Sequence, residues 1–236
     1  MTAVLEATGL RKEYHGEDGA VVPVLTGVDL ALGAGEFVAV LGASGVGKST
    51  LLHCLGALDT PTAGVVRLDG VDYASLPPAG LAALRNRRIG FVFQFHHLLR
   101  EFDAVENVAM PLLIAGHPEP EARRRAVAVL ESLGLGHRLT HRPPALSGGE
   151  QQRVAVARAV VVEPRVILAD EPSGNLDAHN AARLHALFAE LGRRFGTAVL
   201  VVTHNPDLAA RAHRVVTLEE GRLVEGAPRP AGAPGG

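Results

Sequence analysis

The sequence predicts an α/β fold in which a mostly parallel sheet with flanking helices is preceded by an antiparallel β layer and interrupted by an inserted helical segment. Three observations point to it. Val166-Ile167-Leu168-Ala169 and Ala198-Val199-Leu200-Val201-Val202 are continuous apolar runs of strand length, the pattern of strands covered on both faces. Between them Leu184, Leu187, Phe188 and Leu191 recur at helical spacing over residues 181–194, so strand and helix alternate. A third apolar run, Phe37-Val38-Ala39-Val40-Leu41, feeds a glycine-rich loop and then the apolar stretch Leu51 to Leu55.

Taken in order, Val4 to Tyr14 and Val21 to Leu32 read as strands joined by a Gly16-Glu17-Asp18-Gly19 turn. Residues 64–76 read as a further strand pair turning at Asp69-Gly70, and Ile89 to Phe93 as a short strand ending at Gln94. From there to about residue 160 the period becomes helical. In residues 121–133, Ala126, Val127, Leu130 and Leu133 form one face, with Gly134 placed as a C-cap. Arg123, Arg124 and Arg125 lie mainly off that face and read as a solvated surface, not a nucleic-acid site. Residues 226–236 are Gly, Pro and Ala with one arginine and are expected to be disordered. The expected organisation is a cassette over residues 1–225, with about 95–160 as the helical insertion and 226–236 as a tail.

Composition sets the bounds. In 236 residues, 47% are apolar and 20% charged, as in ordinary globular proteins. A net charge of −2 gives no bulk attraction to nucleic acid. The single cysteine, Cys54, excludes an internal disulfide and reads as packed in a helix, in keeping with a reducing cytoplasm. Met1 to Glu6 lack a signal-peptide pattern, and charge breaks every apolar run before membrane-spanning length, as Arg158 breaks Val154 to Val162. The chain is therefore expected to be soluble by itself, reaching a membrane only through a partner.

The loop Gly42-Ala43-Ser44-Gly45-Val46-Gly47-Lys48-Ser49-Thr50 carries the first chemistry. Its glycines let successive backbone N–H groups turn inward around an anion, and a helix starting near Lys48 adds its positive end. Lys48 supplies a full charge to outer phosphates and the Ser49 hydroxyl can ligate Mg²⁺. That is a nucleotide-binding P-loop, which still leaves kinases, GTPases and many ATPases open.

Leu146-Ser147-Gly148-Gly149-Glu150-Gln151-Gln152-Arg153 narrows the choice. Ser147 and Glu150 have capping-box spacing beside two glycines, which makes either an ordinary capped helix or a second anion-binding helix terminus. Val166 to Asp170 then ends an apolar strand in a carboxylate, with Glu171 next. In a P-loop protein such an Asp holds Mg²⁺ and the adjacent Glu activates water.

With these motifs in order, the sequence resembles the ABC-type ATPases over about residues 4–225, Leu146 to Arg153 matching the signature motif. The resemblance implies a head-to-tail homodimer burying two ATP molecules with Mg²⁺, in which Ser147, Gly148 and Gly149 meet the γ-phosphate held by the opposite P-loop. It implies that Tyr14 stacks on adenine, Gln94 senses Mg²⁺ and the attacking water, Asp177 lies at the dimer seam, and His204 contacts the γ-phosphate. Mg²⁺ would be held by Ser49, Gln94 and Asp170, and Glu171 would be the base. Ser173 keeps the hydroxyl of the commoner Thr, whereas Asn205 removes a charge often found after the histidine. Gln94 to Leu99 and Glu106 to Leu113 further resemble the ATP-binding subunits of bacterial lipoprotein-releasing complexes. That resemblance implies a peripheral place on the cytoplasmic face of the inner membrane and permease subunits of the LolC/LolE type docked near Phe95 to Leu99. Phe95, Leu98 and Leu99 would form an apolar surface there flanked by His96 and His97; the alternative is that Leu98 or Leu99 packs the inserted helices. Arg100 and Asp103 vary this segment. The cargo would be handled by the partner, with no direct lipid binding and no nucleic acid. An efflux-pump ATPase of the macrolide type and a cell-division regulatory ATPase keep the same chemistry and remain open at this level, with a DNA-bound ATPase further off.

Overall fold

A computed structural model describes residues 3–16 and 19–225. Glu17 and Asp18 of the expected turn and the expected tail, 226–236, lie outside the described residues. The first sheet is antiparallel: β1 (Ala3–His15), β2 (Val21–Gly33), β4 (Ala63–Leu68) and β5 (Val71–Asp72), in the order β2-β1-β4-β5. Asp69 and Gly70 both have positive φ, as a two-residue hairpin turn between right-twisted strands requires. The expected second strand is cut to two residues because a short 3₁₀ turn, Tyr73–Ser75, capped by Asp72, takes over.

The second sheet contains β3 (Phe37–Leu41), β6 (Ile89–Phe93), β7 (Val166–Asp170), β8 (Ala198–Val202), β9 (Arg214–Glu219) and β10 (Arg222–Glu225) in the order β10-β9-β3-β8-β7-β6. All its pairings are parallel except β9 with β10. The period of two explains the unbroken apolar runs. Val38, Val40, Val166, Leu168, Leu200 and Val202 enter one core with the antiparallel sheet and α1 (Lys48–Leu55). Phe37, Ala39, Ile167, Ala169, Val199 and Val201 point the other way, toward α5 (Gly148–Val160) and α6 (Ala178–Phe195). Phe188 is fully buried in this second core; truncating such a side chain to alanine costs about 3–5 kcal/mol. Cys54 is buried in the first, where desolvation pushes its thiol up to about 11.

A third apolar cluster belongs to the helices α3 (Ala104–Ile114), α4 (Glu119–Ser132) and α5, with Val105, Val108, Leu112, Ala126, Leu130 and Val154 among its members. Helix α5 serves two cores at once: Val154 and Ala157 face α3 and α4, and Val156 and Ala159 face the sheet. Helix α4 ends as its sequence dictates. Gly134 takes a positive φ, its N–H bonds the Glu131 carbonyl, and the Leu135 N–H reaches the Leu130 carbonyl. Of the three arginines on α4, Arg123 and Arg124 are exposed, but Arg125 donates to the Val161 carbonyl and pairs with Glu163.

Two features exceed the sequence reading. Helix α2 (Pro78–Arg88) buries no residue fully, so its apolar signal is confined to Leu81 and Leu84. The β9–β10 hairpin turns at Glu220-Gly221, both at positive φ, where Glu replaces the Asn or Asp that marks such turns. This hairpin joins the two sheets, since the Thr26 N–H and hydroxyl donate to the Gly221 and Glu220 carbonyls.

Because β3, β6, β7 and β8 run parallel, their carboxyl ends lie along one edge. Phe93 pairs with Asp170 and Asp170 with Val202, so Gln94, Glu171 and Thr203 each begin at the same level of the sheet. Ligand sites of open α/β sheets form at this edge. No helix among the described residues is long and apolar enough to cross a membrane.

Candidate functional site

The loop from Gly42 to Gly47 connects β3 to α1, which starts at Lys48 as expected. Gly47 has φ 105°, and a Cβ there would lie 2.6 Å from Val24 Cγ1, so conformation and space both demand glycine. No side chain caps α1 and its first turn contains no acidic residue. Its free N–H groups therefore remain available to an anion. The Lys48 ammonium donates to the carbonyls of Gly42 (2.8 Å) and Ala43 (2.9 Å), which holds the charge over the loop.

A cleft of about 730 Å³ opens here, lined by Ser44, Gly45, Gly47, Lys48, Ser49 and Thr50 and, across from them, by Gln94, Asp170 and Glu171. Val24, His53, Phe93, Phe95 and His97 complete the wall. Ser49, Gln94 and Asp170 offer a hydroxyl, an amide oxygen and a carboxylate, hard donors that fit Mg²⁺ when phosphate and water supply the other positions.

Glu171, expected as the base, and His204, expected at the γ-phosphate, form a pair. Glu171 adopts φ 42°, a left-handed conformation that is strained for a side chain of this size. Its amide donates to the Val202 carbonyl, and its Oε2 accepts from the Thr203 hydroxyl (3.0 Å) and the His204 N–H (3.2 Å). Its Oε1 lies 2.8 Å from His204 Nδ1. The carboxylate is nearly buried, while the imidazole is 74% exposed.

Gln94 is likewise held by a residue that the sequence reading did not single out. Its Nε2 donates to Asn175 Oδ1 (3.2 Å) and its carbonyl accepts from Asn175 Nδ2 (3.1 Å). Ser173, two residues earlier, is buried with its hydroxyl 3.0 Å from Nε2 of buried His185. Burial and the nearby Arg211 hold that imidazole below its usual range, against the opposing pull of Asp207. His185 sits one residue after Leu184 of the expected stripe, the signal by which it could have been found. Asn205 caps the short helix Pro206–Ala209, accepting from the N–H groups of Asp207 and Leu208.

The signature segment is placed elsewhere. Ser147 caps α5, its hydroxyl accepting from the Glu150 N–H and its own N–H donating to Glu150 Oε2. The Ser147 N–H bond is the largest influence holding Glu150 down to about 2; burial opposes it, and the Arg138 guanidinium (2.8 Å) adds to it. The two signature glycines differ. A Cβ on Gly149 would lie 2.7 Å from the Asn180 side chain, whereas one on Gly148 would meet nothing within 4 Å. Gly149 lines a separate cleft of about 320 Å³ with Arg153, Leu176 and Asn180. Asp177 caps α6, accepting from the N–H and the side-chain amide of Asn180, which hold its carboxyl below the ordinary range. Tyr14 is not part of the phosphate cleft's wall: it stands at the end of β1, half exposed, its hydroxyl donating to Asp59 Oδ2 (2.9 Å).

Near the expected docking segment, Phe95 is 68% exposed and Leu99 is exposed, but Leu98 packs against the helical core. A neighbouring groove of about 410 Å³ is lined by Leu58, Arg85, Phe91, Phe93, Ile114 and Arg158. Arg158, read in the sequence only as a charge interrupting an apolar run, donates to the carbonyls of His96 and His97 (both 2.8 Å). Burial lowers its guanidinium. Its signal was that single charge in the apolar run from Val154 to Val162, which needs a partner.

Comparison with known proteins agrees with this geometry. Residues 25–174 match the ABC transporter family. The chain is 52% identical over 232 residues to the lipoprotein-releasing system ATP-binding protein LolD of Shewanella frigidimarina, covering 98% of this chain and 96% of that one. It is 54% identical to the LolD of Pseudomonas fluorescens, covering 94% of this chain and 97% of the relative. Among solved structures, the dimeric ATP-binding cassette MJ0796 in a post-hydrolysis state with ADP and Pi superposes with a TM-score of 0.85 at 37% identity, covering 93% of this chain and 96% of that one. Its motifs, its fold and these likenesses over nearly its whole length agree: the chain belongs to the ABC transporter family.

Proposed function

We propose that this chain is the ATP-hydrolysing subunit of a bacterial complex that releases lipoproteins from the inner membrane for transfer to the outer membrane. Its relatives' name supports the cargo, and their identity runs over nearly the full chain. The observation that supports the mechanism is the separation of the phosphate-binding elements. Lys48, Gln94, Asp170 and Glu171 share one cleft, and Ser147 and Gly148 have no part in it. Gly148 has open space around it, so its lack of a side chain answers no need among the described residues. A second copy supplying Ser147, Gly148 and Gly149 over the cleft accounts for both facts, with Asp177 at the seam. The assembly is then a homodimer with two ATP molecules between its subunits.

In this reading the amides of Gly42 to Gly47, with Lys48, Ser49 and Thr50, cradle the triphosphate, and Tyr14 lies against the base. Ser49, Gln94 and Asp170 would hold Mg²⁺, which supplies charge neutralisation to the outer phosphates. Glu171 accepts the proton of the attacking water. Oε1 of Glu171 lies 2.8 Å from the His204 ring, so the exposed imidazole stands beside the base, where it can reach the γ-phosphate. About residues 95–160 form an inserted helical subdomain, a division supported by the separate apolar core of α3, α4 and α5. Permease subunits of the LolC/LolE type dock in the groove beside Phe95, on the cytoplasmic face of the inner membrane. There Arg158 touches both the groove and the backbone just after Gln94.

Mixing Lys48→Ala and Ser147→Ala subunits tests the shared site. Each alone should fail to hydrolyse ATP, and the mixture should recover turnover through the one intact chamber of the hybrid. No rescue, with full turnover by a demonstrably single subunit, overturns the proposal. Capturing the chain with its membrane partner should bring down a permease carrying lipoproteins; a permease without them overturns the cargo assignment.

A further inference from the structure

We infer that Asp59 is a positioning residue for the nucleobase: it fixes the ring of Tyr14 to the P-loop helix, with Lys12 behind the ring. This rests on the reading of Tyr14 as the residue that lies against the base. The Asp59 carboxylate accepts hydrogen bonds from the Lys12 ammonium at Oδ1 (2.6 Å), from the Tyr14 hydroxyl at Oδ2 (2.9 Å) and from the Thr60 N–H. Lys12 donates further to the Thr60 carbonyl, and its ammonium stands 4.9 Å from the centre of the Tyr14 ring. One face of the phenol is thereby covered by a cation, and a planar base can stack only on the other.

The same segment is tied to the phosphate site. The Asp59 N–H donates to the carbonyl of His53, on α1, and His53 lines the cleft. The segment is also stitched to β1, through the Thr62 N–H to the Arg11 carbonyl and the Glu13 N–H to the Thr62 hydroxyl. A half-exposed tyrosine at a strand end has rotamer freedom to lose on binding, and a hydroxyl anchored in advance removes that loss. Charge agrees with the geometry. Burial pushes the Asp59 carboxyl up, but the hydrogen bonds from Lys12 and Tyr14 outweigh it and hold the group below its ordinary range. Asp59 therefore stays ionised and accepts from both neighbours at neutral pH.

The test is a double-mutant cycle on ATP affinity, measured by calorimetry in a Glu171→Gln background that suppresses turnover, with inorganic tripolyphosphate as the probe lacking a base. Tyr14→Phe and Asp59→Ala should each weaken ATP about three- to tenfold, because each frees the ring from its anchor. The double variant should be no weaker than the worse single one, and tripolyphosphate affinity should be unchanged throughout. Asp59→Asn, which keeps the side chain's shape and one acceptor, should lie between. Additive losses, an equal loss for tripolyphosphate, or unaltered ATP affinity in both Asp59 variants overturn the inference. Tyr14→Ala separates the two levels: if it leaves ATP affinity intact, the reading of Tyr14 fails, and if it weakens ATP while the Asp59 variants do not, only the role of Asp59 fails.

Discussion

The first turns of α1 and α5 are both helix starts flanked by glycine, and they are built in opposite ways. Helix α1 has no capping side chain and no acid in its first turn, and a lysine ammonium stands over its loop. Helix α5 is closed by a full capping box, with the ionised Glu150 in its first turn and Arg138 on that carboxylate. The first can hold a polyanion, because among the described residues no side chain caps its N–H groups, no acid stands in its first turn, and Lys48 is held over the loop by two carbonyls. The second has satisfied the N–H groups of Ser147 and Glu150 within its own capping box. It retains the Ser147 proton and the bare surface of Gly148, enough to add to a phosphate held elsewhere and too little to hold one. Similar sequence chemistry thus yields a binding site in one place and a complement to a binding site in the other.

The largest expected effect tests the α1 side. Glu171→Gln keeps the shape of the carboxylate and removes its basicity, so turnover should fall about 10²- to 10⁴-fold while ATP binding persists and an ATP-loaded dimer accumulates. Single-turnover hydrolysis with gel filtration reads both, and normal turnover would remove Glu171 from its role. A smaller effect separates the two signature glycines. Gly149→Ala brings a Cβ to 2.7 Å from the end of the Asn180 side chain, which must give up its bond to Asp177 to swing away, and should destabilise the isolated chain by about 1 kcal/mol in denaturant titrations. Gly148→Ala should leave that stability within about 0.5 kcal/mol and still impair dimer closure. Equal destabilisation by both would erase the contrast. The smallest concerns acid. The folded Glu150 carboxyl is depressed from 4.5 to about 2, so its stabilisation is present above pH 4.5 and is lost as pH falls from there toward 2. Glu150→Gln keeps the capping box without the charge and should flatten stability across that window. An unchanged acid limb would show that the Glu150 charge, with its bonds from the Ser147 N–H and Arg138, contributes nothing to stability.

Much of the site could be read because its parts are local. The P-loop, the capping box and the strand ending at Asp170 are each encoded within about ten residues, where backbone period and side-chain reach are fixed by the chain itself. The partners of those residues were not legible. Asn175 on Gln94, His204 on Glu171 and Arg158 on the backbone of His96 and His97 join residues far apart in sequence, and each depends on the order in which strands enter the sheet. Leu98 illustrates the limit: an apolar residue between two histidines and Leu99 fits a docking surface or a core equally well, and the packing of α3 to α5 chose the core.

The sequence by itself determined the class of fold, the position of the phosphate loop and the start of the signature helix, because apolar period, glycine freedom and capping act over a few residues. Only the tertiary structure decided which carboxylate meets which donor, that Gly149 abuts Asn180 while Gly148 lies in open space, and that the Tyr14 hydroxyl meets Asp59. The physical reason is that a hydrogen bond between distant residues exists only after strand pairing has closed the intervening loop, and nothing local in either residue records the other's position.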